Sequence, residues 1–371
     1  MDEYILQTHD ICKRYPGQLV LKNINLSFKR GSVHALVGEN GAGKSTFVNV
    51  ISGACPPTSG YFEFEGKRIA QVDPLEAQKL GISVVHQELN LIPEMSVAEN
   101  IFLGREIKNS IGKIDWNKTN QQAKELLCNF NVGFDEKAKI NTLSVAEQQM
   151  VEIIKVVSMD ARLIFMDEPT SVLTGKETEQ LFKIIRNLKS QGKAIVYISH
   201  RLNELKEICD TVSILRDGTH VFTGSISEVT TDQIVEMMVA HKVSEQYPYV
   251  PAKTSGIALK VENICQGTKL KDISFEAFKG EILGIYGLVG AGRTELARAI
   301  IGADRKDSGS IELEGEPVRI KNPTDAINCG LAYITESRRE FGLMLDMDIS
   351  FNSSIASLRR YLNKCRKINK K

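Results

Sequence analysis

One offset aligns the chain with itself, and no other feature restricts its fold as much. Shifting the sequence by 249 residues (270 minus 21) places Leu21-Lys22 on Leu270-Lys271, Gly31 on Gly280, Gly38 on Gly287, Gly43 on Gly292 and Gly53 on Gly302. Without an insertion, Ser59-Gly60 then falls on Ser308-Gly309, Gly66 on Gly315, Pro74 on Pro323 and Gly81 on Gly330. Gly and Pro occupy backbone positions that other residues fill poorly, so a fixed offset through them means a copied layout of strands and turns. The last residue, 371, corresponds to position 122 of the first copy (371 minus 249). The first copy runs to about residue 240, so the second stops halfway. The reading is a complete domain over 1–240, a linker over 241–256 (HKVSEQYPYVPAKTSG, with two Pro and no apolar periodicity) and an incomplete second domain over 257–371.

Within the first copy, the apolar run Val33 to Val37 enters a Gly-rich turn and a helix from Lys44. Further apolar strands are expected at Leu163 to Met166 and Ala194 to Ile198, with a helix over Glu177 to Gln191. Strands alternating with helices imply an α/β domain whose core sheet is mostly parallel and covered on both faces. The period-two run FEFEGKRI suits a small antiparallel layer. Composition narrows the function. The 47 Lys and Arg against 46 Asp and Glu leave a net charge of +1, which argues against bulk affinity for nucleic acid. The seven Cys are scattered, with no C-x-x-C pair, and fit neither a disulfide framework nor a zinc knuckle. The start MDEYILQTHD lacks a secretory pattern and no run of about 18 apolar residues occurs, so the chain reads as neither secreted nor membrane-spanning.

Gly38-Glu39-Asn40-Gly41-Ala42-Gly43-Lys44-Ser45 satisfies G-x-x-x-x-G-K-[ST] between an apolar strand and a helix. Glycines there let backbone N–H groups wrap phosphates, Lys44 reaches the terminal phosphates and the Ser45 hydroxyl ligates Mg²⁺. The strand Leu163 to Met166 ends in two carboxylates: Asp167 suits a metal opposite Ser45, and Glu168 suits orienting or deprotonating an attacking water. An acidic turn after an apolar strand is common, and it is the phosphate loop that gives this one meaning. His200, after Ala194 to Ile198, either contacts the γ-phosphate and the water or serves as a structural hydrogen-bonder. Gln87 ends another strand with an amide that reaches toward metal or water. Tyr15 either stacks on a base or is an exposed aromatic in a Tyr-Pro-Gly turn. Ser144 and Glu147 form an S-x-x-E capping box that needs no ligand to explain it; alternatively, that helix start faces a phosphate held by another copy.

In this order, Tyr15, the 38–45 loop, Gln87, LSVAEQQ, Leu163 to Glu168 and His200 resemble the nucleotide-binding domain of an ABC transporter, over nearly the whole chain. VHQELNL, LSVAEQQMVEI, MDEPTSVLT and YISHRLNE are similar to the ATP-binding subunits of bacterial monosaccharide importers, and GEILGIYGLVGAGRTEL and YITESRREFG to the second domain of the ribose, galactoside and allose type. The resemblance implies a P-loop NTPase fold with a helical subdomain. ATP would be held by Tyr15, by Gly38 to Ser45, by Thr46 and by Ser144, with Mg²⁺ on Ser45, Gln87 and Asp167, and with Glu168, His200 and Gln87 acting in hydrolysis. It further implies permease subunits contacted near Glu88 to Arg105, a periplasmic sugar-binding protein, and a peripheral location on the cytoplasmic face of the bacterial inner membrane.

Departures from the family pattern carry their own expectations. Val145, Ala146 and Glu147 stand where the common signature has Gly, Gly and Gln, which should weaken anion binding. In the second copy Arg293 replaces the loop Lys and Glu336 aligns with Gln87, so that site is expected to bind nucleotide weakly and hydrolyse little. A second signature, acidic strand and switch His would fall beyond residue 371. The first domain therefore borrows a signature helix from a second ATP-binding chain, or the chain is a remnant that binds ATP without turnover. A twin-domain ATPase acting on ribosomes or DNA fits less well, because only about 16 linker residues separate the copies where such proteins carry a long charged insert. The basic stretch 359–371 reads as a solvated end.

Overall fold

A computed structural model describes residues 3–87, 89–239, 253–287, 290–336 and 338–361. Most of the linker expected over 241–256, and most of the basic stretch, lie outside the described residues. The chain divides into two compact units, Met1–Tyr247 and Pro248–Lys371.

In the first unit, β1 (Tyr4–Tyr15), β2 (Gln18–Ile24), β3 (Ser27–Lys29), β5 (Ser59–Phe64) and β6 (Lys67–Ile69) form an antiparallel layer ordered β2-β1-β5-β6, with β3 on β1. The FEFEGKRI run supplies its β5–β6 pairing, Phe62 opposite Ile69. A second sheet holds β4 (Val33–Val37), β7 (Ile82–Val85), β8 (Leu163–Asp167), β9 (Ala194–Ile198), β10 (Thr211–Arg216) and β11 (Thr219–Ser225), ordered β11-β10-β4-β9-β8-β7. Only β10–β11 is antiparallel; the other four pairings are parallel. Every residue of β4 and β9 is buried, as a strand covered on both faces requires. The one polar member of β4, His34, bonds Ser213 at 2.8 Å, and burial lowers its imidazole to about 4, which keeps it neutral.

The faces of this sheet build two cores. Ile164 and Met166 of β8 point into one, with Leu181, Ile185 and Leu188 of α6 (Gly175–Ser190), while Leu163 and Phe165 point into the other, with Phe47 and Ile51 of α1 (Lys44–Ile51). The α6 residues recur at three- and four-residue spacing on one face, each contributing roughly 1.5–3 kcal/mol by leaving water. Helix α6 starts two residues before the expected Glu177, because that carboxylate accepts from Thr174 N at 2.8 Å and Thr174 Oγ1 at 2.9 Å and closes an earlier turn. Helices α3 (Val97–Ile101), α4 (Trp116–Asn129) and α5 (Val145–Val157) pack on one another around Ile101, Leu127 and Ile154 as a helical subdomain. Helices α2 (Pro74–Leu80), α7 (Leu202–Ile208) and α8 (Thr231–Met238) complete the unit.

The second unit repeats only part of this layout. Strands β12 (Ser255–Gln266), β13 (Leu270–Lys279), β14 (Ser308–Leu313) and β15 (Glu316–Pro317) form an antiparallel sheet ordered β13-β12-β14-β15. Val261, Ile264 and Ile311 pack there against Leu296 and Ala299 of α9 (Arg293–Ile300) and Ala326 of α10 (Pro323–Asn328). Strand β12 takes up Ser255 and Gly256, the last two residues read as linker. The 249-residue offset predicts counterparts of β4 at 282–286 and of β7 at 331–334, yet neither segment is a strand. Ile282, Tyr286 and Ile334 are 99%, 95% and 95% exposed. The cause is pairing. In the first unit β4 bonds to β9 and β10, and β7 to β8; no counterpart of those three partners occurs among the described residues of the second unit. A lone strand cannot satisfy its backbone groups in a ladder, and they go to water.

Candidate functional site

The loop after β4 is shaped by glycines that nothing else fits. A Cβ on Gly38 would lie 2.3 Å from the Leu215 carbonyl oxygen. Gly41 and Gly43 have φ of 87° and 103°, and Gly43 caps α1 in the left-handed region. The Lys44 ammonium folds back to donate to the Gly38 and Glu39 carbonyls at 2.7 and 3.0 Å. Burial pushes that ammonium below its ordinary value, while the carboxylates of Asp167, Glu168 and Glu39 oppose the shift. A half-desolvated cation beside exposed N–H groups suits a phosphate. The loop is braced from outside its own segment: Gly218, in the β10–β11 turn, donates its N–H to the Ala42 carbonyl at 3.2 Å and accepts from Lys22 N at 2.7 Å.

Adjacent strands bring the polar groups to one edge. Ser45 Oγ donates to Asp167 Oδ2 at 3.3 Å, joining the start of α1 to the end of β8. Burial raises the Asp167 carboxyl, the neighbouring Glu168 charge raises it further, and Ser45 and Lys44 pull it back. Such a group gains from a hard divalent cation, and its oxygens with the Ser45 hydroxyl fit Mg²⁺. Glu168 sits at φ 49°, an uncommon conformation for a residue with a side chain, and its N–H donates to Ile198 of β9 at 2.9 Å. This turn aims its carboxylate between two neighbours: Gln87 Nε2 donates to Oε2 at 3.4 Å, and His200 Nδ1 lies 3.0 Å from Oε1. Burial lowers the His86 imidazole beside them, against the pull of Asp167.

Tyr15 ends β1, half exposed, with its hydroxyl 3.7 Å from Cys55 Sγ. The Cys55 hydrogen bond, ahead of burial, raises its phenol, and a hydrogen bond with Thr46 opposes this. Lys13 Nζ lies 5.2 Å from the ring centroid. Tyr15, Gly38 to Thr46, Gln87, Asp167, Glu168 and His200 are thus joined through these contacts. Ser144 is not among them. It caps α5, with Ser144 N donating to Glu147 Oε2 at 2.8 Å and Glu147 N donating back to Ser144 Oγ at 3.3 Å, which is the capping box read from sequence. Motif reading missed Gly218 and the buried Glu204. The Asp217-Gly218 pair, with φ of 50° and 76°, carries the hairpin signal that would have found the first.

Beside Gln87 a cleft of about 330 Å³ is lined by Ser52, Pro74, Gln78, Ile82, Val84, His86, Asn90, Glu152 and Lys155. Glu152 is buried there and its Oε2 accepts no hydrogen bond; Lys155 lies 3.7 Å away and donates to the Asn90 carbonyl at 2.8 Å. The second unit carries the corresponding cleft, about 390 Å³, with Ile301, Pro323, Ile327, Leu331, Tyr333 and Thr335 at positions offset by 249 (301 minus 52). There Thr294 Oγ1 donates to Glu336 Oε2 at 3.3 Å, so the loop hydroxyl meets the carboxylate at the Gln87 position.

The sequence profile of the ABC transporter family matches residues 21–171 and 270–365. The chain belongs to the ABC transporter family. Among curated ABC proteins it is 44% identical to a putative ribose/galactose/methyl galactoside import ATP-binding protein of Rhizobium johnstonii, over 97% of this chain and 70% of that protein. It is 46% identical to a protein of the same description, numbered 3, from Burkholderia cenocepacia, over 96% of this chain and 70% of that protein. Solved ABC cassettes share the fold. A nucleotide-free cassette from an ABC transporter superposes with TM-score 0.56 at 25% identity, covering 64% of this chain and all of that one. A dimeric cassette in a post-hydrolysis state, bound to ADP and Pi, gives 0.54 at 26%, covering 60% and 98%. The first unit is thus an α/β P-loop NTPase domain of the ABC type, a domain that binds nucleotide. No helix among the described residues is long and apolar enough to cross a membrane.

Proposed function

We propose that this chain is the MgATP-hydrolysing subunit that energises monosaccharide import through an ABC transporter. The observation that carries the reading is the Glu168 carboxylate held between Gln87 and His200, one residue from the Ser45–Asp167 pair and beside the Lys44 loop. Backbone N–H groups of the loop and Lys44 take the β- and γ-phosphates. Ser45, Asp167 and Gln87 hold Mg²⁺, which when bound offsets charge on the phosphate oxygens. Glu168 accepts a proton as water attacks the γ-phosphorus, the new P–O bond replaces the bond to ADP, and His200 contacts the γ-phosphate side. Tyr15 offers its ring to the adenine. In this reading Ser144, at a helix N-terminus outside this group, meets a phosphate held by a second ATP-binding chain.

That the relatives are import ATP-binding proteins favours transport over a nucleotide-binding remnant. The first domain spans 1–240, and an incomplete second domain follows the linker, beginning with Ser255 of β12. Permease subunits contact the stretch after Gln87 and the Glu152 cleft, where Lys155 ties Asn90 to α5. A periplasmic sugar-binding protein completes the system, and the chain sits peripherally at the cytoplasmic membrane face. Steady-state MgATP hydrolysis across protein concentration, beside an ATP-binding titration, tests this. Turnover rising faster than linearly and lost in Glu168→Gln is the expected result. Binding without turnover at every concentration overturns it.

A further inference from the structure

Two turns carry the reactive side chains: residues 168–174 after β8 carry Glu168, and residues 199–201 after β9 carry His200. One buried carboxylate fastens them together. Glu204, in the first turn of α7, accepts three hydrogen bonds on Oε2: from Thr170 Oγ1 at 2.8 Å, Tyr197 Oη at 2.9 Å and Ser199 Oγ at 3.2 Å. Its Oε1 accepts from Arg201 at 3.3 Å. Thr170, Tyr197, Ser199 and Glu204 are all buried. Ser199 Oγ in turn accepts from Arg201 N at 3.0 Å, which closes the turn around His200. Burial, and then the Glu204 charge, push the Tyr197 phenol far up, so it stays a donor.

A buried carboxylate costs free energy unless its oxygens are satisfied, and four donors satisfy this one. Three of the donors come from the two turns, with Thr170 two residues after Glu168, and Ser199 and Arg201 on either side of His200; the fourth, Tyr197, comes from β9. The hydrogen bonds and ion pair of Glu204 go to Thr170, Tyr197, Ser199 and Arg201, not to Glu168 or His200, and nothing in the phosphate chemistry uses it. The backbone bond from Glu168 N to Ile198 O fixes where the first turn leaves β8, but not where its far side rests.

We propose that Glu204 is a positioning residue for hydrolysis, whose four hydrogen bonds hold the Glu168 and His200 turns in register so that the carboxylate and imidazole meet. This rests on the ATPase reading above. Misplacement of reacting groups by about 1 Å costs on the order of 100-fold in rate. Nucleotide affinity, set by the 38–46 loop, does not depend on this link.

The full-length chain with Glu204→Gln, which keeps size and one acceptor oxygen but removes the charge and turns the other oxygen into an NH2 that faces a donor, is the first variant. Thr170→Val, which deletes one donor at matched volume, is the second. Glu204→Gln is expected to lower kcat by about 10- to 100-fold and leave KM for ATP within about twofold, with Thr170→Val intermediate. Labelled-histidine NMR supplies a readout independent of turnover. In the parent chain, Glu168→Gln displaces the His200 ring resonances; in the Glu204→Gln background that displacement is expected to fall to less than about a third, as coupling is lost. If Glu204→Gln does not fold, Thr170→Val decides on the same two readouts. An unchanged kcat together with an undiminished displacement in a folded variant overturns the proposal. A parent chain that never hydrolyses ATP overturns the ATPase reading, and the resonance displacement still decides whether Glu204 holds the two turns together.

Discussion

Replacing Gly218 by Ala should damage nucleotide binding, although Gly218 lies 175 residues beyond Gly43 (218 minus 43) and in no phosphate motif. Its Cβ would stand 2.1 Å from the Val20 carbonyl oxygen, a backbone atom of β2 that cannot swing aside. Opening that contact to an ordinary distance moves the β10–β11 turn away from β2. That movement stretches the bonds from Lys22 N to Gly218 O, at 2.7 Å, and from Gly218 N to Ala42 O, at 3.2 Å. The left-handed φ of 76° adds about 1–2 kcal/mol for any side chain, overpacking about 1–3, and a weakened hydrogen bond about 0.5–1.5. The total is roughly 3–6 kcal/mol. Gly192→Ala is the matched control, since Gly192 has φ 79° with nothing within 4 Å of its would-be Cβ, and only the left-handed penalty applies. The two variants differ by the overpacking and hydrogen-bond contributions, about 1.5–4.5 kcal/mol, so differential scanning fluorimetry should place Gly218→Ala about 3–18 °C below Gly192→Ala, at about 2–4 °C per kcal/mol for a domain of this size. Titration with a fluorescent ATP analogue should show affinity reduced at least about tenfold, since a shift of 1.4 kcal/mol at Ala42 suffices. Equal melting temperatures and equal affinities for the two variants would refute the argument that this turn braces the phosphate loop.

Other expectations follow from particular side chains. Tyr15→Ala should weaken ATP binding by roughly 5- to 150-fold, the range of about 1–3 kcal/mol for a base on an aromatic ring, while Tyr15→Phe changes it little; equal losses in the two variants would move the role from the ring to the hydroxyl. Asp167 is raised in the folded chain, so its ionisation removes stability as pH climbs from the ordinary carboxylate range through the raised value, and the loss is complete above that. Asp167→Asn without nucleotide should therefore melt higher than the parent at about pH 8, with the gap closing toward about pH 4. The same variant should lose the extra stabilisation that Mg²⁺ adds to ATP, and a parent-like melting profile in both respects would contradict the reading. Ile282→Ser with Ile334→Ser should lower binding of a hydrophobic dye without lowering the melting temperature, because both side chains already face water; a drop of several degrees would show them to be packed.

Much of the site was legible because its geometry is local. The eight residues from Gly38 to Ser45 are one turn between one strand and one helix, and a loop that wraps phosphate admits few alternatives to Gly, Lys and Ser. Strands β4 and β9 were readable to the residue, since a strand buried on both faces is a run of apolar residues, broken in β4 only by His34, whose ring is satisfied by Ser213. The contact between Glu168 and His200 was not legible as a distance, because it depends on β8 and β9 being neighbours in the sheet. Glu204 was invisible for a related reason. In LNELKEI it looks like one more acidic residue on an exposed helix, and only the fold brings Thr170 and Tyr197 onto it. Residues 282–286 show the converse, with the apolar pattern of β4 and no ladder to join.

The strand order β11-β10-β4-β9-β8-β7 also sets a timetable for synthesis. Val33 of β4 donates to the Asp210 carboxylate, 177 residues further along the chain. At about 5–20 residues per second, a ribosome needs on the order of 10–35 s to deliver the partners after β4 has emerged. Throughout that interval a strand destined for burial on both faces stands unpaired, and ATP has no finished loop to bind. Nucleotide therefore cannot template the folding of its own site; it can only reward a sheet already assembled. The nascent first domain is thus expected to engage a holding chaperone until β10 has left the exit tunnel, and to release it abruptly, not by degrees, when β9 and β10 close on either side of β4.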